Sequence, residues 1–142
     1  MIQLTTVTAH HKGLVLQSHL QLPRPHWVTG DAPRVRQVLL NLLGNAVKFT
    51  EQGRIVVRAS RRDPTGPIVV QVQDSGIGIA ADDLKSIFDP YRQAENAIGR
   101  AMGGTGLGLT ISREISRAMG GDITCQSEVG KGSTFEFSAL LM

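Results

Sequence analysis

Asn41, Asn45 and Lys48 lie four and three residues apart in the segment NLLGNAVKF. In a helix, successive side chains turn by about 100°, which sets these three on one stripe opposite Leu39, Leu42, Leu43 and Ala46. Two amide oxygens and an ammonium suit a hard cation and phosphate. Amide oxygen ligates magnesium directly or through water, and the ammonium meets a polyphosphate as a point charge. The same stripe also reads as a solvated helix face, but such faces ordinarily carry Glu, Lys and Arg. Each interior Asn is about 0.5 kcal/mol poorer than Ala in a helix, and Gly44 about 1 kcal/mol poorer.

A second cluster ends the run Ile68-Val69-Val70-Gln71-Val72-Gln73-Asp74. Strand side chains alternate, so Asp74 points the way of Ile68, Val70 and Val72, towards a core. A buried carboxylate needs donors, and an exocyclic amino group of adenine is one; Gly76 and Gly78 would let a flat ring approach the backbone. Taken by itself, Asp74-Ser75-Gly76 is more commonly a turn in which Asp bonds its own backbone. The third cluster, Gly103-Gly104-Thr105-Gly106-Leu107-Gly108-Leu109, enters a helix, where converging backbone N–H groups can cradle phosphate. A hinge without ligand has the same composition. No GxxxxGK[ST] loop occurs. Gly76 to Ala81 fits the loose pattern G-x-G-x-x-A, yet the acidic residue about 20 positions on that a dinucleotide fold requires would be Glu95, in a polar loop.

These clusters need elements to hold them. Asp31 as cap and Pro33 in the first turn open a helix predicted over Ala32 to Phe49. Leu14 to Leu22 alternates as a strand before Pro23, and Trp27-Val28-Thr29 reads as a short extended piece. Arg54 to Ser60 and Ile68 to Gln73 form a predicted hairpin about Asp63-Pro64-Thr65-Gly66-Pro67. A short helix is expected over Ala81 to Phe88 and a longer one over Leu107 to Met119, ended by Gly120-Gly121. Strands then cover Asp122 to Ser127 and Thr134 to Leu140. Strands separated by turns, with clustered helices, predict an α+β fold: a two-layer α/β sandwich, a mixed sheet of about five strands with three helices on one face.

The chain has 142 residues, 41% of them apolar, enough for one core, and 1–142 reads as a single domain. Fifteen Lys plus Arg against twelve Asp plus Glu leave a net charge of +3. Doublets such as Arg61-Arg62 and His10-His11 build no basic stripe, so no nucleic-acid partner is expected. The single cysteine, Cys125, and four scattered histidines suggest neither disulfide nor zinc site, and fit a reducing compartment such as the cytoplasm. The longest apolar run, near Val38 to Val47, is broken by Asn41, Gly44 and Asn45, and no leader opens the chain, so no direct membrane contact is expected.

The order of the motifs is more specific than any one of them: an Asn-rich helix, DSGIGI, IFDPYRQ, GGTGLGL and GKGSTF. In this the chain resembles the ATP-binding catalytic domain of sensor histidine kinases, within the superfamily of gyrase, Hsp90 and MutL ATPases, from roughly Lys12 to Leu140. The resemblance implies that Asn45 coordinates magnesium, with Asn41 and Lys48 near the phosphates and Phe49 near the nucleotide. It implies that Asp74 bonds the adenine amino group in a pocket shaped by Gly76, Gly78 and Ile79, with Thr134 beneath the ring. Phe88 and Tyr91 would form an aromatic box at the entrance to a lid over about residues 90–105. Gly104, Thr105, Gly106, Leu107 and Gly108 would fold over the phosphates, with Leu107 and Leu109 as pocket wall or core.

In the ATP-hydrolysing members of that superfamily a Glu one turn before the metal-binding Asn activates water. Asn41 stands there and cannot take a proton, which implies slow hydrolysis. The implied acceptor is instead a histidine on a separate dimerisation domain of the same parent protein, from which the phosphoryl passes to a response regulator receiver domain. His19, within SHLQLP, is rejected as that acceptor, because only 21 residues separate it from Asn41 and it sits in an alternating strand. The chain thus reads as a domain excised from a longer sensor kinase. The rival readings are a stand-alone serine kinase of the anti-sigma type, which shares the fold, and a non-catalytic nucleotide-binding scaffold. The IFDPYRQ and GGTGLGL motifs favour the histidine-kinase branch.

Overall fold

The computed structural model describes residues 13–21, 31–61, 63, 65–89 and 108–140. Its first helix, α1 (Ala32–Phe49), begins where expected: Asp31 is extended and its carboxylate accepts Arg34 N–H at 3.3 Å, while Pro33 sits in the first turn. The helix ends when Thr50 returns to extended backbone. Val38, Leu42, Leu43, Ala46 and Val47 form its buried stripe.

Five strands make one sheet: β1 (Val15–Gln21), β2 (Arg54–Arg61), β3 (Ile68–Asp74), β4 (Ile123–Glu128) and β5 (Gly132–Ala139), in the order β1-β2-β3-β5-β4. β1 runs parallel to β2, a connection that requires a crossover, and α1 is that crossover. The other neighbours are antiparallel, and β2 with β3 forms the expected hairpin. The sheet is mixed, and the α+β two-layer expectation holds.

Register decides which side chains meet. Across the inward face, Ala59, Val70, Phe137 and Ile123 form one rung, and Val57, Val72, Phe135 and Cys125 the next. These join the stripe of α1 in one apolar core. Full burial of a side chain such as Phe137 contributes about 1.5–3 kcal/mol. The third rung, Ile55, Asp74, Ser133 and Ser127, turns polar at one end of the sheet. The outward face is solvated, with Arg58 donating to Gln73 at 2.7 Å and Gln71 to Glu136 at 3.0 Å.

Helix α2 (Ala81–Leu84) is one turn long, shorter than the predicted Ala81 to Phe88. Beyond it the backbone closes tight turns, Ser86 N–H to the Asp83 carbonyl and Asp89 N–H to the Ser86 carbonyl, both at 3.0 Å. Asp89 precedes a proline, which disfavours helical backbone there.

Helix α3 (Gly108–Ala118) buries serines rather than large apolar residues: Ser112 and Ser116 are its fully enclosed positions. Ser116 donates to the Ser138 carbonyl at 2.7 Å and so fastens the helix to β5. Its end is set by Gly120, at φ +81°, whose N–H bonds the Arg117 carbonyl. Asp122 then accepts from Arg113 at 3.0 Å, Arg117 at 3.2 Å and Ile123 N–H at 2.8 Å, tying the helix to the start of β4. No helix among the described residues is long and apolar enough to cross a membrane.

Gly44 is exposed in the interior of α1, and a methyl group added there meets nothing within 4 Å. No packing among the described residues requires a glycine at this position. Gly44→Ala is expected to stabilise the domain by about 1 kcal/mol, read as a higher thermal midpoint. An unchanged or lower midpoint would show that the helix surface needs that bare backbone.

Candidate functional site

The site is built around Asp74, the last residue of β3, only 8% exposed. Its Oδ1 accepts from Gly76 N–H at 2.9 Å and from Ser133 N–H at 3.3 Å. The self-bonded turn and the inward carboxylate therefore coexist, because the turn occupies only one oxygen. No hydrogen bond from a described residue reaches Oδ2. Burial raises the pKa of Asp74, and the two N–H groups only partly oppose that.

The segment after Asp74 is clamped by the protein itself. A Cβ at Gly76 would crowd the Phe49 carbonyl, the Thr50 hydroxyl and Asp74 Oδ1. Gly78, at φ +75°, passes against the Glu128 carbonyl with no room for a side chain. Ile77 N–H reaches the Phe49 carbonyl at 3.4 Å, Gly130 N–H the Ile77 carbonyl at 2.9 Å, and Ile79 N–H the Ser127 hydroxyl at 2.7 Å. Both glycines thus have a reason internal to the protein. Ile79 packs against the core. Thr50 Oγ1 is fully buried with no hydrogen-bond partner, alone in this among the described side chains.

On α1, the amide stripe divides its work. Asn41 donates from Nδ2 to Ser112 Oγ at 3.1 Å, and its Oδ1 fills the space a Cβ on Gly108 would need. It therefore joins α1 to α3, with Gly108 permitting the close approach. Asn45 is half-buried one turn further along, and no hydrogen bond from a described residue reaches its side-chain amide. Lys48 Nζ lies 5.6 Å from the centroid of the Phe49 ring, a cation–π contact. Phe49 and Thr50 lead directly to Gly76, so the amide of Asn45 and the carboxylate of Asp74 belong to one end of the fold.

Magnesium suits this donor set. It keeps several waters and substrate phosphate oxygens, needing few protein ligands, and an amide oxygen that no described residue engages is a fitting one. No group of three or more His, Cys, Asp or Glu converges among the described residues.

Thr134 is not beside Asp74. It pairs with Gln73 and Gln126, and strand alternation puts it on the opposite face of the sheet. The residue facing the site is Ser133, the register partner of Asp74, followed by Ser127 on β4. The sequence held the signal: Ser133 shares parity with the apolar Phe135 and Phe137, and therefore their inward face.

Phe88 packs against the core under the Arg113 guanidinium, 4.5 Å from its ring centroid, and its carbonyl accepts the Thr110 hydroxyl at 2.6 Å. Leu109 also packs against the core. Tyr91, Gly104, Thr105, Gly106, Leu107 and the expected lid lie outside the described residues.

Residues 30–141 match the family model of histidine kinase-, DNA gyrase B- and HSP90-like ATPases. The chain is 48% identical over 133 residues to the aerobic respiration control sensor protein ArcB of Escherichia coli, covering 93% of this chain and 17% of that protein. It is 43% identical over 136 residues to the sensor protein GacS of Pseudomonas syringae, covering 94% and 15%. With the signal transduction histidine-protein kinase BarA of Escherichia coli it shares 41% identity over 140 residues, covering 96% and 15%. Among solved structures, full-length ShkA in complex with AMPPNP superposes with a TM-score of 0.84 at 37% identity, over 98% of this chain and 28% of that one. The mycobacterial sensor histidine kinase MprB gives 0.80 at 24% identity, over 99% and 93%, a likeness of fold. The chain spans about a sixth of the length of the curated relatives, 15–17%. With the matched model running through nearly every element described above, the chain belongs to the histidine kinase-, DNA gyrase B- and HSP90-like ATPase family.

Proposed function

We propose that this chain binds ATP with magnesium and presents the terminal phosphoryl to a histidine on a separate dimerisation domain, from which it passes to a response regulator receiver domain. The observation that carries this reading is the buried Asp74 carboxylate, which accepts two N–H groups on Oδ1 and no hydrogen bond from a described residue on Oδ2. The names of the relatives as sensor proteins and a histidine-protein kinase, and the AMPPNP in the ShkA structure, support it.

In this reading Asp74 Oδ2 accepts from the adenine amino group, which draws the base to the polar end of the inward sheet face. Phe49 and Lys48, joined by their cation–π contact, stand where the base gives way to the charged tail, and the ammonium offsets phosphate charge. Asn45 would hold magnesium, which when bound neutralises charge on the polyphosphate. Catalysis here is mainly positioning and charge stabilisation. Asn41 has no basic group and its amide is engaged by Ser112, so it does not activate water. Hydrolysis is slow, and the incoming nucleophile is an imidazole. Cys125 does not compete: burial, aided by the nearby Asp74 charge, pushes its thiol up to about 12.

Phosphotransfer from ATP to a separately supplied histidine-bearing hairpin domain should give acid-labile label on histidine. Label on serine of a small partner instead would overturn the assignment in favour of the serine-kinase branch.

Asn45→Ala is expected to weaken magnesium-dependent ATP binding at least about tenfold by calorimetry, the scale of one charge-assisted contact, with the helix intact by circular dichroism. Unchanged affinity would remove Asn45 from the site.

Asp74→Asn should bind ATP weakly, since its amide turns N–H groups towards a donor. Its stability should move the other way. A carboxyl whose pKa is raised in the fold favours the native state while protonated, and that advantage is lost as pH rises through the raised value. Asp74→Asn stays neutral throughout, so it should melt above wild type at neutral pH, with the gap closing as pH falls below the ordinary carboxylate range. A variant that melts lower at neutral pH would show that the bonds to Gly76 and Ser133 outweigh the burial of charge.

A further inference from the structure

The hydroxyl of Ser127 touches three groups at the edge of the polar rung. Ile79 N–H donates to it at 2.7 Å, the Gly132 carbonyl lies 2.9 Å away, and Ser133 Oγ lies 2.7 Å away. A hydroxyl has one proton and accepts through two lone pairs. The carbonyl of Gly132 has no proton to offer, so at 2.9 Å the Ser127 proton must point to it; otherwise two bare acceptors would face each other. Ile79 N–H fills one lone pair of Ser127. The remaining contact is then satisfied only if Ser133 donates into the other. The hydroxyl chain has one direction, from Ser133 to Ser127 to the Gly132 carbonyl, and every valence of Ser127 is used.

That direction commits the proton of Ser133 away from Asp74. Although the two residues are register partners, Asp74 receives only the backbone N–H of Ser133, and its hydroxyl makes no bond to the carboxylate. Ser133 Oγ therefore offers only lone pairs, on the rung it shares with Asp74, whose carboxylate, once ionised, also only accepts. We propose that Ser127 is a positioning residue that sets base selection: by taking the proton of Ser133 it makes the Asp74–Ser133 rung an acceptor-only surface. Such a surface receives the exocyclic amino group of a 6-aminopurine and repels the carbonyl of a 6-oxopurine. This deepens the ATP reading above and rests on it.

The test measures the affinities of the whole chain for ATP and ITP, each with magnesium, by calorimetry. Wild type should prefer ATP. In Ser127→Ala the Ser133 hydroxyl is released to rotate and donate, so the ATP:ITP preference should narrow by about tenfold, the equivalent of one hydrogen bond regained by ITP. Ser127→Thr, which keeps the hydroxyl, should restore the preference. Ser133→Ala removes the offending lone pairs and should narrow the ratio too, with no further change when Ser127→Ala is added to it. Equal weakening of both nucleotides in Ser127→Ala, as a merely structural role would give, overturns the proposal. Should that variant fail to fold, an unchanged ratio in Ser133→Ala overturns it equally. Wild type that binds neither nucleotide would instead remove the pocket itself, a result distinguishable from failure of the part assigned to Ser127.

Discussion

A carboxylate at the end of an apolar sheet face is the constraint around which this fold is arranged. Two of the inward rungs are apolar and close-packed; the third places Asp74 in the same layer, where its charge must be met by donors or left at a cost. The structure supplies two backbone N–H groups, and both go to one oxygen. To bring them there, the chain after β3 must turn at Gly76 and the strand β5 must begin beside it. The rest of the site is the consequence: the Phe49 carbonyl, the Glu128 carbonyl and the Ser127 hydroxyl all press on the four residues from Gly76 to Ile79.

Close approach recurs on the helical side, and small residues make it possible. Gly108 admits the amide of Asn41, while Ser112 and Ser116 let α3 lie near both α1 and β5 and convert that nearness into hydrogen bonds. A helix that buried Leu or Phe at those positions would stand further off. Since the Gly-rich run feeds directly into α3, the seat of that helix fixes where the run ends. The Asp122 clamp to Arg113 and Arg117 secures the other end.

The stripe on α1 divides residues of one type by whether the fold engages their side chains. Asn41 is spent on the helix pair, whereas Asn45 remains without a partner among the described residues. Identical side chains one turn apart differ because Asn41 bonds Ser112 on α3, whereas no hydrogen bond from a described residue reaches the side chain of Asn45. The same distinction separates Ser133 from Thr134, adjacent hydroxyl residues on opposite faces of β5.

Much of this was readable from residue order. Period 3.6 and an Asp cap set the limits of α1, period 2 set the strands and turned Asp74 inward, and proline and glycine marked the turns, because each of these is a local property of the backbone. The glycines at Gly76 and Gly78 were recognisable as requirements, but not what required them. The tie of Asn41 to Ser112, the orphaned hydroxyl of Thr50 and the proton chain through Ser127 were decided by tertiary structure. Each depends on residues far apart in the chain, and only register and helix seating determine which of them come within hydrogen-bond distance. Sequence alone determined which groups the chain had for chemistry and which way each strand would turn them; packing decided which of those groups were used up holding the protein together and which kept no partner among the described residues.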